Sequence, residues 1–253
     1  MLKRRVFLKR AGVVTASALL GGRAIAEELA GAVDSSSGLA ASLLRGPDAP
    51  LDLLVNGVAS PLAIDRGTAR FTWRHEADGR GERQTAYQIL VSASRANLDA
   101  AKGDLWDSGK VVSGRSAAVE YAGKTLGPAA RCWWKVRIWN QTGKAGAYSA
   151  PASFDTGLNP GDWTAQYVWD GSASGNNFAY FRKTFSAARK PRLAKVYVSA
   201  QNDYTLWLNG ELVGRGPARS DPYRYGQYNG YDITALVRPG RNVFAAIGHW
   251  QGN

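Results

Sequence analysis

Residues 220–231 read SDPYRYGQYNGY and place Tyr223, Tyr225, Tyr228 and Tyr231 among Asp221, Arg224, Gln227 and Asn229. Aromatic plates stack on the apolar C–H faces of a sugar ring, while amide, guanidinium and carboxylate groups meet its hydroxyls. The stretch is therefore a candidate carbohydrate-binding loop, with Asp221, Tyr223, Arg224, Tyr225, Gln227 and Tyr228 as its contacts. Trp133 and Trp139, in RCWWKVRIWN, are a second candidate, because exposed indoles on one strand face can also stack on sugars. The competing reading is that they cover a loop or a neighbouring domain.

Other chemistries find little support. His75 and His249 are the only histidines and have no Cys or His companions at ligand spacing, so no metal site and no cofactor are expected. Cys132 is the sole cysteine and cannot pair within the chain; between apolar strand residues it reads as a small buried group. Asp65, Glu76, Asp78, Asp203, Asp221 and Asp232 all read as turn or surface groups. Asp232, in YDIT, is expected to accept hydrogen bonds from turn amides, and Asp203, in QNDY, to sit at a strand entrance.

The elements that position these residues are strands. The 253 residues hold 20 Tyr and Trp, seven Phe, 29 Gly and 10 Pro, which describes aromatic strands punctuated by turns. Period-2 alternation puts Phe71 and Trp73 on one face, then Tyr87, Ile89 and Val91, then Trp134, Val136 and Ile138. Opposite the last stripe lie Trp133, Lys135, Arg137 and Trp139, an aromatic and cationic ladder. With a short opening strand at 51–55, a strand in PASFDTG, and Leu105 and Trp106 covering one end of the core, residues 51–158 predict an antiparallel sandwich of fibronectin type III kind. Pro160 and Gly161 punctuate the boundary. Residues 159–253 predict a second antiparallel β-sandwich, of jelly-roll or galactose-binding kind and incomplete, with Asn209-Gly210 as a two-residue hairpin turn. The fold class is all-β throughout.

The N-terminus reads as an address. Six basic residues and no acid precede Ala26, leaving 26 basic against 20 acidic groups in the remainder of a chain of net charge +12. A cationic head, an apolar run of 12 residues from Ala11 to Gly22, and small residues at Ala24 and Ala26 predict a signal peptide over 1–26 cleaved after Ala26. Arg4 and Arg5, followed by Phe7 and Leu8, match a twin-arginine export signal, with Lys3 departing from the usual Ser or Thr. The run falls short of the roughly 20 residues that span a bilayer, so membrane contact is expected only during export to the periplasm or medium. Residues 27–50 read as a linker with a short helix near 39–44. The basic residues that remain are scattered among acids, which argues against a nucleic-acid partner.

Two groups of motifs carry a family resemblance. RQTAYQILV, DLWDSGKV and WWKVRIW recur in order, and AKVYVSAQNDYTLWLNGELVGRG with YDITALVRPGRNVFAAIGH follows. The first group resembles the fibronectin-like domain that opens bacterial α-L-rhamnosidases of glycoside hydrolase family 78, and the second resembles their rhamnosidase N-terminal domain. PARSDPYRYGQYNGYDIT departs from the commonest family form, which carries a Trp-containing stretch before the Tyr-Asp pair. The resemblance implies hydrolysis of terminal rhamnose from glycosides or polysaccharide by the full-length protein. It places the chemistry in a C-terminal (α/α)6 barrel, whose paired acids match no position here, so no residue of this chain is named catalytic. It also gives the tyrosine loop a second reading, as anchors against that barrel. The alternative to this reading is a stand-alone secreted carbohydrate-binding or structural β-sandwich protein.

Overall fold

The computed structural model describes residues 46–76, 81–171, 175–217 and 227–252. The export signal with Arg4, Arg5, Phe7, Leu8, Ala24 and Ala26, the helix expected near 39–44, and Asp78 lie outside the described residues.

The first module is built from β1 (Leu51–Val55), β2 (Arg70–Arg74), β3 (Ala86–Ser92), β4 (Trp106–Asp107), β5 (Val111–Val112), β6 (Val119–Glu120), β7 (Arg131–Trp139) and β8 (Ala152–Asp155). One sheet runs β1-β2-β6; the other runs β4-β3-β7-β8, with β5 also on β3. All named strand pairs are antiparallel. The alternation read from sequence sets the filling: Phe71, Ile89, Val91, Trp134, Val136, Ile138 and Phe154 are buried between the sheets. Each such side chain contributes about 1.5–3 kcal/mol by leaving water. Phe71 lies 4.5 Å from the Trp134 ring and 5.8 Å from Phe154, and Leu105 and Trp106 close one end of this core as expected. Between β3 and β4 a five-residue helix, α1 (Arg95–Asp99), starts where the Ser94 side chain accepts a hydrogen bond from the Asn97 amide.

The second module contains β9 (Asn177–Ala187), β10 (Lys195–Ser199), β11 (Asp203–Leu208), β12 (Glu211–Gly216), β13 (Tyr228–Asp232) and β14 (Gly240–Trp250). β12-β11-β14-β9 form a four-stranded antiparallel sheet, and β10-β13 form a separate pair. The predicted Asn209-Gly210 turn joins β11 to β12, with φ of 54° and 89° at the two residues. Asn209 does more than turn: its side chain donates to Leu236 O and to Oδ1 of the fully buried Asn242, and accepts from the Val243 amide. Pro239-Gly240 carries the chain from one sheet to the other, since β13 pairs with β10 and β14 with β11 and β9. The buried centre comprises Leu208, Ile233 and Val237, ringed by half-buried Phe185, Val196, Val213, Tyr231 and Phe244.

The pair β10-β13 is a wall with two occupied faces. Register puts Val196 opposite Tyr231 and Val198 opposite Asn229, and this face turns to β11 and β12: Tyr204 donates to Asn229, and Tyr231 to Arg215 O. The alternate residues, Lys195 with Asp232, Tyr197 with Gly230 and Ser199 with Tyr228, present the other face. Lys195, Tyr197, Tyr228 and Asp232 on that face reach the first module.

Candidate functional site

Four of the eight sequence candidates lie among the described residues, and most of these are already occupied. Asp221, Tyr223, Arg224 and Tyr225 lie outside the described residues. Trp139 is not an exposed plate: it is 8% exposed, with the Lys110 ammonium 5.0 Å and the Arg137 guanidinium 4.9 Å from its ring. The expected ladder exists, but its rungs close on one another. Arg137 also lies 4.8 Å from the Tyr148 ring and donates twice to Gln88, while Lys135 lies 4.6 Å from Tyr148. Burial of Lys135 lowers its ammonium below the ordinary range. Trp133 is half-buried beneath Arg95, 5.8 Å away. Gln227 is exposed, and its backbone carbonyl accepts from the Ser199 hydroxyl.

Tyr228 points into the seam between the modules. Its hydroxyl accepts from the Leu158 amide at 2.6 Å and donates to the Leu158 carbonyl at 3.2 Å, so both hydrogen-bonding roles of the phenol are used on the segment that leaves the first module after β8. Its ring stands edge-on to Trp163 and Tyr197 at 5.3 and 5.9 Å. Tyr197 donates to Thr156 O at 3.5 Å, and burial, aided by the Asp155 charge, pushes its phenol up to about 12. Tyr231 belongs to the opposite face, its hydroxyl 3.0 Å from that of Tyr204.

The charged centre of this seam is Asp155, at the end of β8 and 1% exposed. Arg131 binds it through two parallel bonds of 2.8 Å, and the Lys195 ammonium lies 3.3 Å from Oδ2. Arg131 also reaches Asp232 of β13 at 3.4 Å, so one guanidinium ties a carboxylate from each module. Lys195 completes its set by donating to Ala129 O at 2.7 Å. The Asp155 hydrogen bonds raise the Arg131 guanidinium against the cost of its burial. Partial burial pushes Asp232 up, and hydrogen bonds from the Thr234 side chain and amide and from Arg131 outweigh it, holding the carboxyl below its ordinary value. The connector is pinned too: Arg66 meets Asp162 at 2.6 Å, beside a 3-10 turn, Pro160–Asp162.

This arrangement binds its own chain. Asp155 has both oxygens engaged and no exposed face, and Asp232 caps a turn, accepting from the Thr234 amide at 2.9 Å as its sequence context predicted. Asp65 accepts from the Gly67 amide and Glu76 pairs with Arg74, the turn and surface roles expected of them. Asp203 starts β11, 3.6 Å from His249 Nδ1. Among the described residues no cluster of three or more His, Cys, Asp or Glu groups is placed to hold a metal ion. Sequence reasoning passed over Asp155, Arg131, Lys195 and Tyr197. The available signal was three charges set within otherwise apolar strand stretches, FDTG, ARCWW and AKVYV.

A second surface stands open. On the four-stranded sheet the alternation that buries Tyr204, Leu206 and Leu208 turns Thr205 and Trp207 outward, alongside Leu212, Ala245, Ile247, Tyr180 and Phe178 by register. Tyr180 is 78% exposed, Leu212 52% and Phe178 50%. Phe178 stacks on His249 at 4.3 Å.

Comparison with known proteins places both modules. Residues 50–160 match the family described as Rha78A-like, N-terminal immunoglobulin domain, and residues 189–252 match the α-L-rhamnosidase N-terminal domain. An α-L-rhamnosidase of Formosa agariphila is 32% identical over 222 residues, 77% of this chain and 23% of the relative. One from Streptomyces avermitilis is 32% identical over 76% of this chain and 21% of its own length. The solved α-L-rhamnosidase of Dictyoglumus thermophilum superposes with a TM-score of 0.72 at 29% identity, covering 79% of this chain and 25% of that one. The Aspergillus terreus enzyme, at 21% identity and a TM-score of 0.66 over 79% of this chain and 24% of its own, shares the fold. The chain thus spans less than a quarter of the length of these two curated relatives.

Proposed function

We propose that this chain, which carries the two N-terminal β-domains of the α-L-rhamnosidase family, is the non-catalytic support of an exported enzyme that removes terminal α-L-rhamnose from glycosides or polysaccharide. The observation that carries this reading is the occurrence of both family domains in order, joined through the Arg131–Asp232 and Lys195–Asp155 ion pairs. A locked pair presents fixed surfaces, which is what a support must supply. The open sheet face with Phe178, Tyr180 and Leu212 is where we seat the catalytic domain, because exposed aromatic and aliphatic area of this kind marks a contact surface.

The purified chain is assayed on a chromogenic α-L-rhamnoside and titrated calorimetrically with L-rhamnose. A support releases no chromophore above the buffer rate. Turnover at an enzyme-like rate refutes the reading, and rhamnose heat without turnover replaces it with a binding module. Reading the coding sequence beyond Asn253 adds an independent check: a helix-rich continuation supports the support role, and a stop codon there opposes it.

A further inference from the structure

We infer that the second module is folded only while it is docked on the first, because the two modules share the β10-β13 wall. This goes beyond the support role and stands whether or not a catalytic domain is ever attached. A two-stranded sheet is marginal by itself in water and persists when a third layer covers it. Here one side is covered by β11 and β12 and the other by the first module. The first module has a large contiguous buried cluster that includes Phe71, Trp134, Ile138 and Phe154, whereas among the described residues the second gathers only Leu208, Ile233 and Val237 into such a cluster, with Ala179, Tyr204 and Leu206 its other buried apolar side chains. A centre that small supplies little of the free energy needed to order six strands. The outer face of the wall supplies the remainder through groups that are satisfied only in the docked state.

Undocking exposes the asymmetry. Lys195 loses Asp155 and Ala129 O, Tyr228 loses both groups of Leu158, and Tyr197 loses Thr156 O. On the first module Asp155 keeps Arg131, so that sandwich retains its internal ion pair and its own core. The dependence therefore runs one way, from the second module to the first.

Hydrogen exchange on the full chain, resolved by peptide, tests this with Lys195→Met and Tyr228→Phe, both in the second module. Asp203→Asn, on the open sheet face, serves as a control. Protection in β11 and β14 is expected to fall at least tenfold in both wall variants, with β3 and β7 unchanged and the control like wild type. Unchanged protection of β11 and β14 overturns the inference, because the second module then stands without the seam. A parallel loss in β3 and β7 overturns its direction.

Discussion

Gly157 faces the Tyr228 hydroxyl across the seam, and adding one methyl group there probes it directly. A Cβ at this position would fall inside the van der Waals radius of the Tyr228 hydroxyl and would lie 3.3 Å from the carbonyl oxygens of Ala63 and Ile64. Gly157 does not occupy the positive-φ region, so the penalty of Gly157→Ala is steric. Tyr228 must withdraw, giving up its bonds to the Leu158 amide and carbonyl. Losing these partners in a half-buried seam costs about 1–3 kcal/mol, and residual crowding by the two carbonyls adds about 1 kcal/mol. The total of about 2–4 kcal/mol lowers Tm by roughly 5–15 °C for a folded region of about 200 residues. Thermal unfolding of Gly157→Ala, Tyr228→Phe and the double variant forms a cycle. Phenylalanine has already removed the hydroxyl that the methyl displaces, so the double variant should match Tyr228→Phe to within about 1 kcal/mol, and the coupling should exceed about 1 kcal/mol. Additivity to within about 0.5 kcal/mol would show that Gly157 and Tyr228 do not meet, and the seam described here would be wrong.

Asp232 gives a pH signature: its folded pKa lies below its ordinary value of 3.8, so its contribution is present above that value and is lost as pH falls through the folded pKa. Urea midpoints measured from pH 5 to pH 2 should drop less steeply in Asp232→Asn than in wild type, and equal slopes would oppose the assignment. Cys132 is 1% exposed, and burial followed by the Asp155 charge pushes its thiol up to about 12. Iodoacetamide at pH 8 should leave it unlabelled in folded protein and label it in denaturant, whereas rapid labelling of folded protein would contradict its place in the core. Replacing both Arg4 and Arg5 with Lys should hold the precursor in the cytoplasm, as fractionation and intact mass would show; unimpaired export would exclude the twin-arginine route.

The interior of the first module was legible because alternation is a direct image of a two-faced sheet. Phe71, Ile89, Trp134 and Ile138 were assigned inward from their spacing and are buried. The Asn209-Gly210 hairpin was legible for a similar reason, since a two-residue turn with positive φ at both positions favours these residues. Trp139 was misread as an exposed plate because period 2 reports which face a residue occupies and carries no information about what covers that face. Its cover, Lys110 and Arg137, comes from a distant loop and from its own strand. The surroundings of Tyr228 were illegible for the same reason at a larger scale. The partner of its hydroxyl, Leu158, is 70 residues away in the chain, and only the docking of two modules brings them together.

The character of the seam follows from what it must specify. An apolar interface of equal area would hold the modules with comparable or greater strength, since desolvating Asp155, Arg131 and Lys195 offsets much of their mutual attraction. Apolar contacts, however, tolerate sliding and rotation, because their energy varies slowly with register. Arg131, fixed on Asp155 within the first module, meets Asp232 of the second, and Lys195 of the second meets Asp155, and these two directed contacts tolerate neither. Tyr228 adds a third fixed point by both accepting from and donating to one residue, Leu158. Breaking any of these leaves a desolvated charge or an unpaired backbone group, so misaligned dockings are penalised more than the aligned one is rewarded. Specificity of orientation, more than strength of attachment, is what this chemistry secures, and orientation is the property that a support for a separate catalytic domain has to hold constant.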